Sequence, residues 1–245
     1  MPFFRNHADA TSRSQEFYTW PVVAKAAKCA IAWRYRLLDY LYTALQKQSE
    51  DGTPAMNPLW FMHPHDKATF SIDEQYYFGD CVVVSPVTED NTSGQVSIYL
   101  PSGIFYDLET HVPVRSHGVW VKKHGIPLDR IPLHIRGGCV IPLRSESANT
   151  TTELRKKGFE LVVAPGLDGK AHGSLHVDDG VSLDGGEVST RIEWRYANGE
   201  LETFVEQRFQ SVEELGVKIE KVTVLDPGTA SGDGAEGGSW ENDEL

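Results

Sequence analysis

The apolar positions near the start of the chain recur with the period of a helix. Between Trp20 and Gln48 there is no glycine and a single proline, Pro21, which lies where a helix tolerates it. Gly52, followed by Pro54, ends the pattern. The apolar residues that recur at three- and four-residue steps are Val23, Ala27, Ile31, Leu38, Leu41 and Leu45. The pattern predicts one long amphipathic helix.

Two shorter elements are expected after this helix. Residues 55–62 are apolar and aromatic, which predicts a short buried strand. Ser71, Asp73 and Glu74 are capping and acidic residues, and they predict the start of a brief helix that ends at Phe78. A long amphipathic helix and one strand cannot close a core alone, so we expect this part to pack against further structure.

From residue 81 onward the pattern changes to short β-type runs. Glycine, proline, asparagine and aspartate separate the runs at roughly the 8–12-residue spacing of a sandwich or barrel. A polar linker at 145–152 divides two series, and Asn198-Gly199 is a strong hairpin signal within the second. The runs are 81–85, 96–100, 104–108, 119–122, 133–135 and 140–143, then 159–164, 174–177, 191–196, 202–209 and 217–225. The chain is therefore expected to be mainly β.

Composition and charge narrow the class of protein. The 245 residues carry a formal net charge of −12, and a surface this acidic repels phosphate backbones, so no nucleic-acid partner is expected. No apolar run approaches the ~20 residues of a membrane-spanning helix, so no membrane partner is expected either. The first seven residues lack the features of a signal peptide. Three cysteines are too few for a disulfide scaffold, and their odd number leaves at least one thiol free or paired with another chain.

The sequence contains few motifs that would bind a cofactor or a metal or carry out catalysis. It contains no phosphate loop, dinucleotide fingerprint, zinc-binding helix or nucleophile elbow, so no cofactor is expected. His63-Pro64-His65-Asp66 has metal-binding residue types, but we interpret it as a loop without a metal. Asp178-Asp179-Gly180 lacks the bidentate glutamate of a calcium loop and is interpreted as a β-turn.

Two sequons bear on the compartment. Asn91 and Asn149 each begin an N-glycosylation triplet in a predicted surface loop, which favours a protein of the secretory pathway. The last four residues, 242–245, approach an endoplasmic reticulum retention signal, but the first of them is wrong. We therefore predict a secreted or secretory-pathway protein, with the lumen of the endoplasmic reticulum as the alternative.

Five ordered blocks of sequence resemble glycoside hydrolase family 31, and the nearest members are fungal-type α-glucosidases. The match covers about residues 1–185, and the five blocks occur in family order, which makes the resemblance specific. The blocks are MPFFRNH at 1–7, RYRLLDYLYT at 34–43, IDEQYYFGD and VVVSPV at 72–87, LPSGIFYD at 100–107, and IPLHIRGG with IP at 131–142. Asp39 stands where the family usually has proline and Phe105 where it has tryptophan, and neither change touches the chemistry.

The resemblance implies retaining hydrolysis of a terminal, non-reducing α-linked glucose by two carboxylates about 5–5.5 Å apart. The family's nucleophile and acid/base motifs lie upstream of Met1, so this chain holds no catalytic residue and is expected to be inactive alone. His7 matches the family histidine that hydrogen-bonds the sugar in the cleaved subsite. An imidazole suits this role because it can donate to a hydroxyl or accept from one.

The resemblance also implies a domain organisation. We expect the terminal βα units of a (β/α)₈ barrel at 1–80, a proximal C-terminal β-sandwich at 81–145 and a distal β-sandwich-type domain at 146–225. The composition after residue 225, which is rich in glycine, serine and acidic residues, separately predicts a disordered acidic tail at 226–245. The chain is then a C-terminal fragment or subunit of an α-glucosidase. Its expected partners are the N-terminal catalytic part and an α-glucoside or malto-oligosaccharide substrate. The alternative is a non-catalytic β-sandwich that binds carbohydrate or braces a partner, although such a module has no use for a barrel helix.

Overall fold

The structure is a computed structural model that describes residues 4–88, 95–127, 129–182, 189–207, 217–228 and 240–242. Its helices are α1 (Pro21–Arg36), α2 (Leu38–Asp51), α3 (Leu59–Met62) and α4 (Thr151–Leu154), with 3₁₀ helices at Phe17–Thr19 and Lys67–Ser71. The first eight strands are β1 (Met56–Pro58), β2 (Tyr76–Phe78), β3 (Val82–Val84), β4 (Val96–Leu100), β5 (Gly103–Asp107), β6 (Pro113–Ser116), β7 (Val119–Lys123) and β8 (Leu133–Arg136). The others are β9 (Cys139–Arg144), β10 (Phe159–Ala164), β11 (Ala171–Asp178), β12 (Ser189–Ala197), β13 (Glu200–Gln207), β14 (Ile219–Val224) and β15 (Trp240–Asn242).

These strands form three sheets, so the predicted mainly β fold class is confirmed. The proximal sheet has the antiparallel order β1-β2-β3-β8-β5-β6, and a three-stranded sheet has the order β15-β7-β4. The distal sheet has the order β13-β12-β11-β9-β10-β14, in which β11 pairs with β9 and β10 with β14 in parallel. Among the described residues, no helix is long and apolar enough to cross a membrane.

The three sheets and helix α2 enclose three hydrophobic cores. The proximal and three-stranded sheets form a sandwich around Tyr77, Val83, Ile98 and Phe105. A second core lies between α2, the opposite face of the proximal sheet, and the distal sheet. The third core lies on the other side of the distal sheet, where Trp194 is 1% exposed. Helix α2 is thus packed against both six-stranded sheets.

The helix and strand boundaries correct several sequence predictions. The long helix is broken at Leu37, which leaves helical geometry with φ −91° and ψ 4° and buries its side chain in the core. Residues 55–62 form β1 followed by α3 rather than one strand. The helix predicted to end at Phe78 is wrong, because β2 pairs with β1 on one side and β3 on the other. The sequence analysis also missed β6 and the short α4.

The hydrogen-bonded sheets run across both expected domain boundaries. β1 and β2 precede residue 80 yet pair within the proximal sheet, and β9 precedes residue 145 yet lies in the distal sheet. The proposed domain boundaries at residues 80 and 145 therefore do not coincide with the limits of the sheets. Of the tail at 226–245, only 226–228 and the backbone of β15, which pairs with β7, lie within the described residues.

A disulfide between Cys81 and Cys139 joins the proximal sheet to the distal sheet. Cys81 immediately precedes β3 of the proximal sheet, Cys139 begins β9 of the distal sheet, and the two are 58 residues apart in sequence. Cys29 in α1 is a free thiol. The sequence predicted at least one unpaired cysteine but gave no basis for the pairing.

Candidate functional site

The predicted sugar-contacting residue lies in an irregular segment ahead of the first helix. His7 falls within residues 4–16, which contain no helix or strand, and its side chain is exposed. The side-chain amide of Asn6 donates to the backbone carbonyl of Gln15, so the two ends of the segment are tied together. The structure thus places His7 on an open loop, free to contact a hydroxyl from outside this chain.

A carboxylate-centred turn gives this loop a defined shape. Asp9 Oδ1 accepts from the backbone N–H of Thr11 at 2.7 Å and of Ser12 at 2.9 Å, and from the Thr11 hydroxyl at 2.7 Å. These hydrogen bonds to the charged form hold the pKa of Asp9 below its usual value. An ionised carboxylate therefore fixes the backbone two residues after His7.

Large apolar side chains are exposed where the loop meets α1. Tyr18 is 80% exposed, Trp20 41% and Val22 61%, and no residue of α1 is buried. Exposed apolar groups are common singly, whereas a contiguous group marks an interaction surface. We define the α1 surface as Phe17, Tyr18, Trp20 and Val22.

Helix α2 is held on the distal sheet by a buried ion pair. The Arg144 guanidinium in β9 makes a bidentate contact with Asp39, with Nε and Nη2 each 2.7 Å from a carboxylate oxygen. Its Nη1 donates to the Lys157 carbonyl at 2.6 Å, and the guanidinium lies 4.0 Å from the Phe159 ring centroid. The Arg144 side chain is only 4% exposed, so the pair is shielded from water.

Two hydroxyl groups of α2 make further buried contacts. Tyr40 donates to the Phe78 carbonyl at 2.8 Å and accepts from the Cys81 N–H at 3.0 Å, and its burial raises its pKa. The Thr43 hydroxyl accepts from the His176 backbone N–H at 2.9 Å. Together with the Asp39–Arg144 pair, these bonds fix α2 against both six-stranded sheets.

The other candidate sites are the two glycosylation sequons and the histidine-rich segment at 63–66. Asn149 is exposed just before α4, and Asn91 lies outside the described residues. His63 Nε2 is 2.8 Å from the Tyr77 hydroxyl, whereas the Asp66 carboxylate caps a 3₁₀ helix. Within the part of the chain that the structure describes, no three histidine, cysteine or acidic residues are grouped to hold a metal ion.

The ion pair between Asp39 and Arg144 was not predicted from the sequence. Asp39 had been interpreted as a change that touches no chemistry, and it makes no contact with the His7 loop. The only signal in the sequence is a carboxylate among the apolar positions of a helix, which needs a cation as a partner. No sequence rule identifies that partner 105 residues away.

Two family models match this chain in succession. Residues 1–44 match the glycosyl hydrolases family 31 TIM-barrel domain, and residues 52–141 match the glycosyl hydrolase family 31 C-terminal domain. His7, α1 and the start of α2 lie in the first match, and the proximal sheet with the start of β9 lies in the second. The two matches together cover more than half of the chain.

Similar proteins cover nearly all of the chain. A probable alpha/beta-glucosidase of Aspergillus fumigatus is 50% identical over 223 residues, which are 91% of this chain and 25% of that protein. An alpha-glucosidase of Schizosaccharomyces pombe is 41% identical over 75% of the chain and 19% of its own length. A crystal structure of the glucosidase II alpha subunit superposes with a TM-score of 0.83 at 29% identity, over 91% of this chain and 25% of that one. The chain spans about a quarter of the length of the curated relatives it matches most fully.

Proposed function

Because the chain belongs to glycoside hydrolase family 31, we propose that it forms the C-terminal part of an α-glucosidase. The complete enzyme would hydrolyse terminal, non-reducing α-linked glucose with retention of configuration. The observation that carries the proposal is the 50% identity to the Aspergillus fumigatus glucosidase over 91% of this chain, together with family matches that begin in the TIM-barrel domain.

We assign the sugar contact within this chain to His7. A barrel enzyme places its active site on the loops that follow its strands, and His7 lies on an exposed loop within the region that matches the barrel domain. Its neutral imidazole offers a donor and an acceptor to sugar hydroxyls without bringing a full charge. The two carboxylates that cleave the glycosidic bond come from the catalytic part that precedes this region in the family.

The exposed residues of the α1 surface support the proposal that this chain packs against the rest of the catalytic barrel, either in the same polypeptide or in a separate subunit. Its four large apolar residues are exposed here, and α1 lies in the region that matches the barrel domain. Neighbouring helices of a barrel pack against each other in a ring around the strands, so an isolated barrel helix leaves apolar surface uncovered. We infer that the rest of the catalytic barrel covers Phe17, Tyr18, Trp20 and Val22.

We further propose that the protein passes through the secretory pathway and carries a glycan at Asn149. The Cys81–Cys139 disulfide is of a kind that forms and persists in oxidising compartments. Asn149 is exposed and begins a sequon beside α4. Expression in a fungal secretory host should give a product whose mass falls on treatment with peptide N-glycosidase, and Asn149→Gln should abolish its share of that change. An Asn149 peptide found entirely unmodified would contradict this assignment.

The activity can be tested by exchange with a relative. The quarter of the Aspergillus fumigatus glucosidase that matches this chain is replaced by the chain itself, and hydrolysis of maltose is measured. We expect the chimera to release glucose and the isolated chain to release none, because the isolated chain has neither catalytic carboxylate. NMR of the first product should show α-glucose, since a retaining mechanism keeps the anomeric configuration.

The matched control is the same chimera with its nucleophile carboxylate changed to an amide, which should be inactive while still folded. A well-folded but inactive chimera that retains both carboxylates would contradict the proposed role. Glucose release by the isolated chain at an enzymatic rate would contradict the division of catalytic groups.

A further inference from the structure

A groove with a largely apolar lining and several charged side chains lies between the two six-stranded sheets. It has a volume of about 830 Å³ and is bounded by β5, the end of β8, and the loops and strands of the distal sheet. Its charged and imidazole-bearing lining residues are His63, Arg136, Asp168, Lys170, His172, Arg195 and Glu202. This volume is within the range of small-molecule sites in proteins.

Among the described lining residues, Arg136 is the one that has a buried side-chain donor without an acceptor. It ends β8 opposite Phe105 of β5, and its guanidinium is 5.9 Å from the Tyr77 ring centroid. Its Nε is buried, and within the described part of the chain neither a hydrogen-bond acceptor for Nε nor an ion-pair partner for the guanidinium is found. A partly buried arginine in this state loses hydration without a compensating bond, which costs free energy.

Among the described residues, neither carboxylate of the lining, Asp168 or Glu202, is paired with Arg136. Arg195 is itself 3.5 Å from Glu193 and stacks 4.7 Å from the Phe204 ring centroid. Asp168 turns back on its own loop, where Oδ1 accepts from the Lys170 backbone N–H at 3.1 Å. The groove thus presents the Arg136 guanidinium, which has no ion-pair partner among the described residues, together with the side chains of Asp168, Lys170, Arg195 and Glu202.

The imidazole next to Arg136 does not change this balance. His63 Nε2 is 2.8 Å from the Tyr77 hydroxyl, and burial together with the nearby Arg136 lowers the pKa of His63. His63 is therefore neutral at pH 7 and can take part only as a hydrogen-bonding group. A methyl group added at Gly138, two residues after Arg136, would meet no atom within 4 Å, whereas one added at Gly137 would meet Ile104.

We propose that this groove binds a small molecule through an oxyanion, a phosphoryl or carboxylate group, that pairs with the Arg136 guanidinium. Arginine suits such a group because its planar fork donates two parallel hydrogen bonds to two oxygens at once. His63 and the polar residues at the far end hold the uncharged part of the ligand. The site is separate from the His7 loop and does not depend on the activity proposed above.

The test is a titration of the full chain with inorganic phosphate and, separately, with acetate, each against chloride at equal ionic strength. Binding is followed by calorimetry and by the rise in melting temperature that a ligand of the folded state produces. Binding of phosphate alone assigns a phosphoryl ligand, and binding of acetate alone assigns a carboxylate. We expect Arg136→Gln to weaken binding at least about tenfold and Arg136→Lys, which keeps the charge but not the fork, to weaken it less.

Arg115→Gln is the matched control, because it makes the same charge change at an exposed position of β6 outside the groove. It should bind like the unmodified chain. Equal binding by Arg136→Gln and the unmodified chain, or no preference for either oxyanion over chloride, would overturn the proposal.

A second measurement needs no variant and so does not depend on how Arg136→Gln folds. Phenylglyoxal modifies accessible arginines, and mass spectrometry gives the extent of modification at each one. The oxyanion that binds should protect Arg136 and leave Arg115 modified as before. Unchanged modification of Arg136 at saturating phosphate and at saturating acetate would also overturn the proposal.

Discussion

The two long helices of this protein are of similar length but differ in how they are held. Helix α1 has 16 residues and buries none of them, whereas α2 has 14 residues and buries Tyr40, Leu41 and Thr43. Helix α2 is also tied to β9 through the Asp39–Arg144 pair. The difference shows that α2 completes a core within this chain, whereas every residue of α1 keeps some exposure and Val22 is 61% exposed.

This contrast suggests a different role for each helix: α2 belongs to the core formed with the β-sheets, and the α1 surface contacts the rest of the barrel. The buried contacts of α2 stabilise the fold formed by the chain itself, so changing them should unfold it. The exposed residues of the α1 surface contribute little to that fold, so changing them should affect assembly with the rest of the barrel. Stability and activity measurements can therefore separate the two roles.

The largest loss of stability is expected from Arg144→Met. The change leaves the Asp39 carboxylate beside apolar groups without its partner, which costs about 3–5 kcal/mol in comparable buried pairs. Urea unfolding of the full chain gives the free energy directly. The double variant Asp39→Leu with Arg144→Met should regain much of the loss, because no uncompensated charge is then left.

An exposed ion pair provides the control for this prediction. Lys156 and Glu153 are 2.8 Å apart on the surface of α4. Lys156→Met should leave the unfolding midpoint unchanged, since exposed pairs contribute little. If Arg144→Met were as mild as Lys156→Met, the buried pair would not be what holds α2.

The next largest effect is a dependence of stability on pH that originates in the proximal sheet. His134 is fully buried, and burial is the main cause that lowers its pKa to about 4, with Lys123 adding to this and Asp107 opposing it. The folded state therefore favours neutral His134, and its contribution is present above pH 6.5 and is lost as the pH falls through 4. The shift corresponds to about 3 kcal/mol at most.

Urea unfolding between pH 7 and pH 4 checks this prediction. His134→Gln should flatten the fall in stability, although some fall should persist because burial also lowers the pKa of His63 and His176. His65→Gln, at an exposed position, should behave as the unmodified chain does. A pH profile of His134→Gln that matches that of the unmodified chain would show that His134 is not the source.

A smaller effect is expected from Tyr40→Phe. The variant keeps the ring but removes the hydroxyl that bridges the Phe78 carbonyl and the Cys81 N–H. A buried N–H left without a partner costs about 1–3 kcal/mol. The unfolding free energy should fall by that amount, whereas Tyr42→Phe, at a half-exposed position of the same helix, should cost less. An equal loss for both variants would argue against a special role for the Tyr40 bridge.

The smallest change in stability is expected on the α1 surface. Val22 is 61% exposed, so Val22→Ser should alter the unfolding free energy of the chain by no more than about 0.5 kcal/mol. The same change in the chimera should lower the yield of active enzyme, because the residue then lies against the rest of the barrel. A chimera indifferent to Val22→Ser would contradict the proposed contact.

The sequence was sufficient where local patterns decide the structure. Strands β4 and β10 were predicted to the residue. The Asn198-Gly199 turn was also predicted, and its two φ values of 54° and 84° are the positive angles that a tight hairpin turn requires. Each of these signals lies within about ten residues of the element it predicts.

The sequence was not sufficient where distant segments decide the structure. Residues 76–78 have a helix-like start signal nearby, yet they form a strand because β1 and β3 pair with both edges. The Cys81–Cys139 pairing likewise depends on how two sheets meet. At the candidate site, His7 could be named only through the family resemblance, since an exposed loop histidine carries no signal of its own.

The most direct test of the account is His7→Ala in the active chimera. We expect kcat/KM on maltose to fall roughly 10- to 100-fold, because hydrogen bonds to sugar hydroxyls tighten in the transition state. The melting temperature should not change, since His7 is exposed on a loop and its removal opens no cavity. Ser14→Ala, at another exposed position of the same irregular segment, is the control and should cost less. A His7→Ala chimera with unchanged kcat/KM would show that His7 does not contact the sugar and would contradict the central claim.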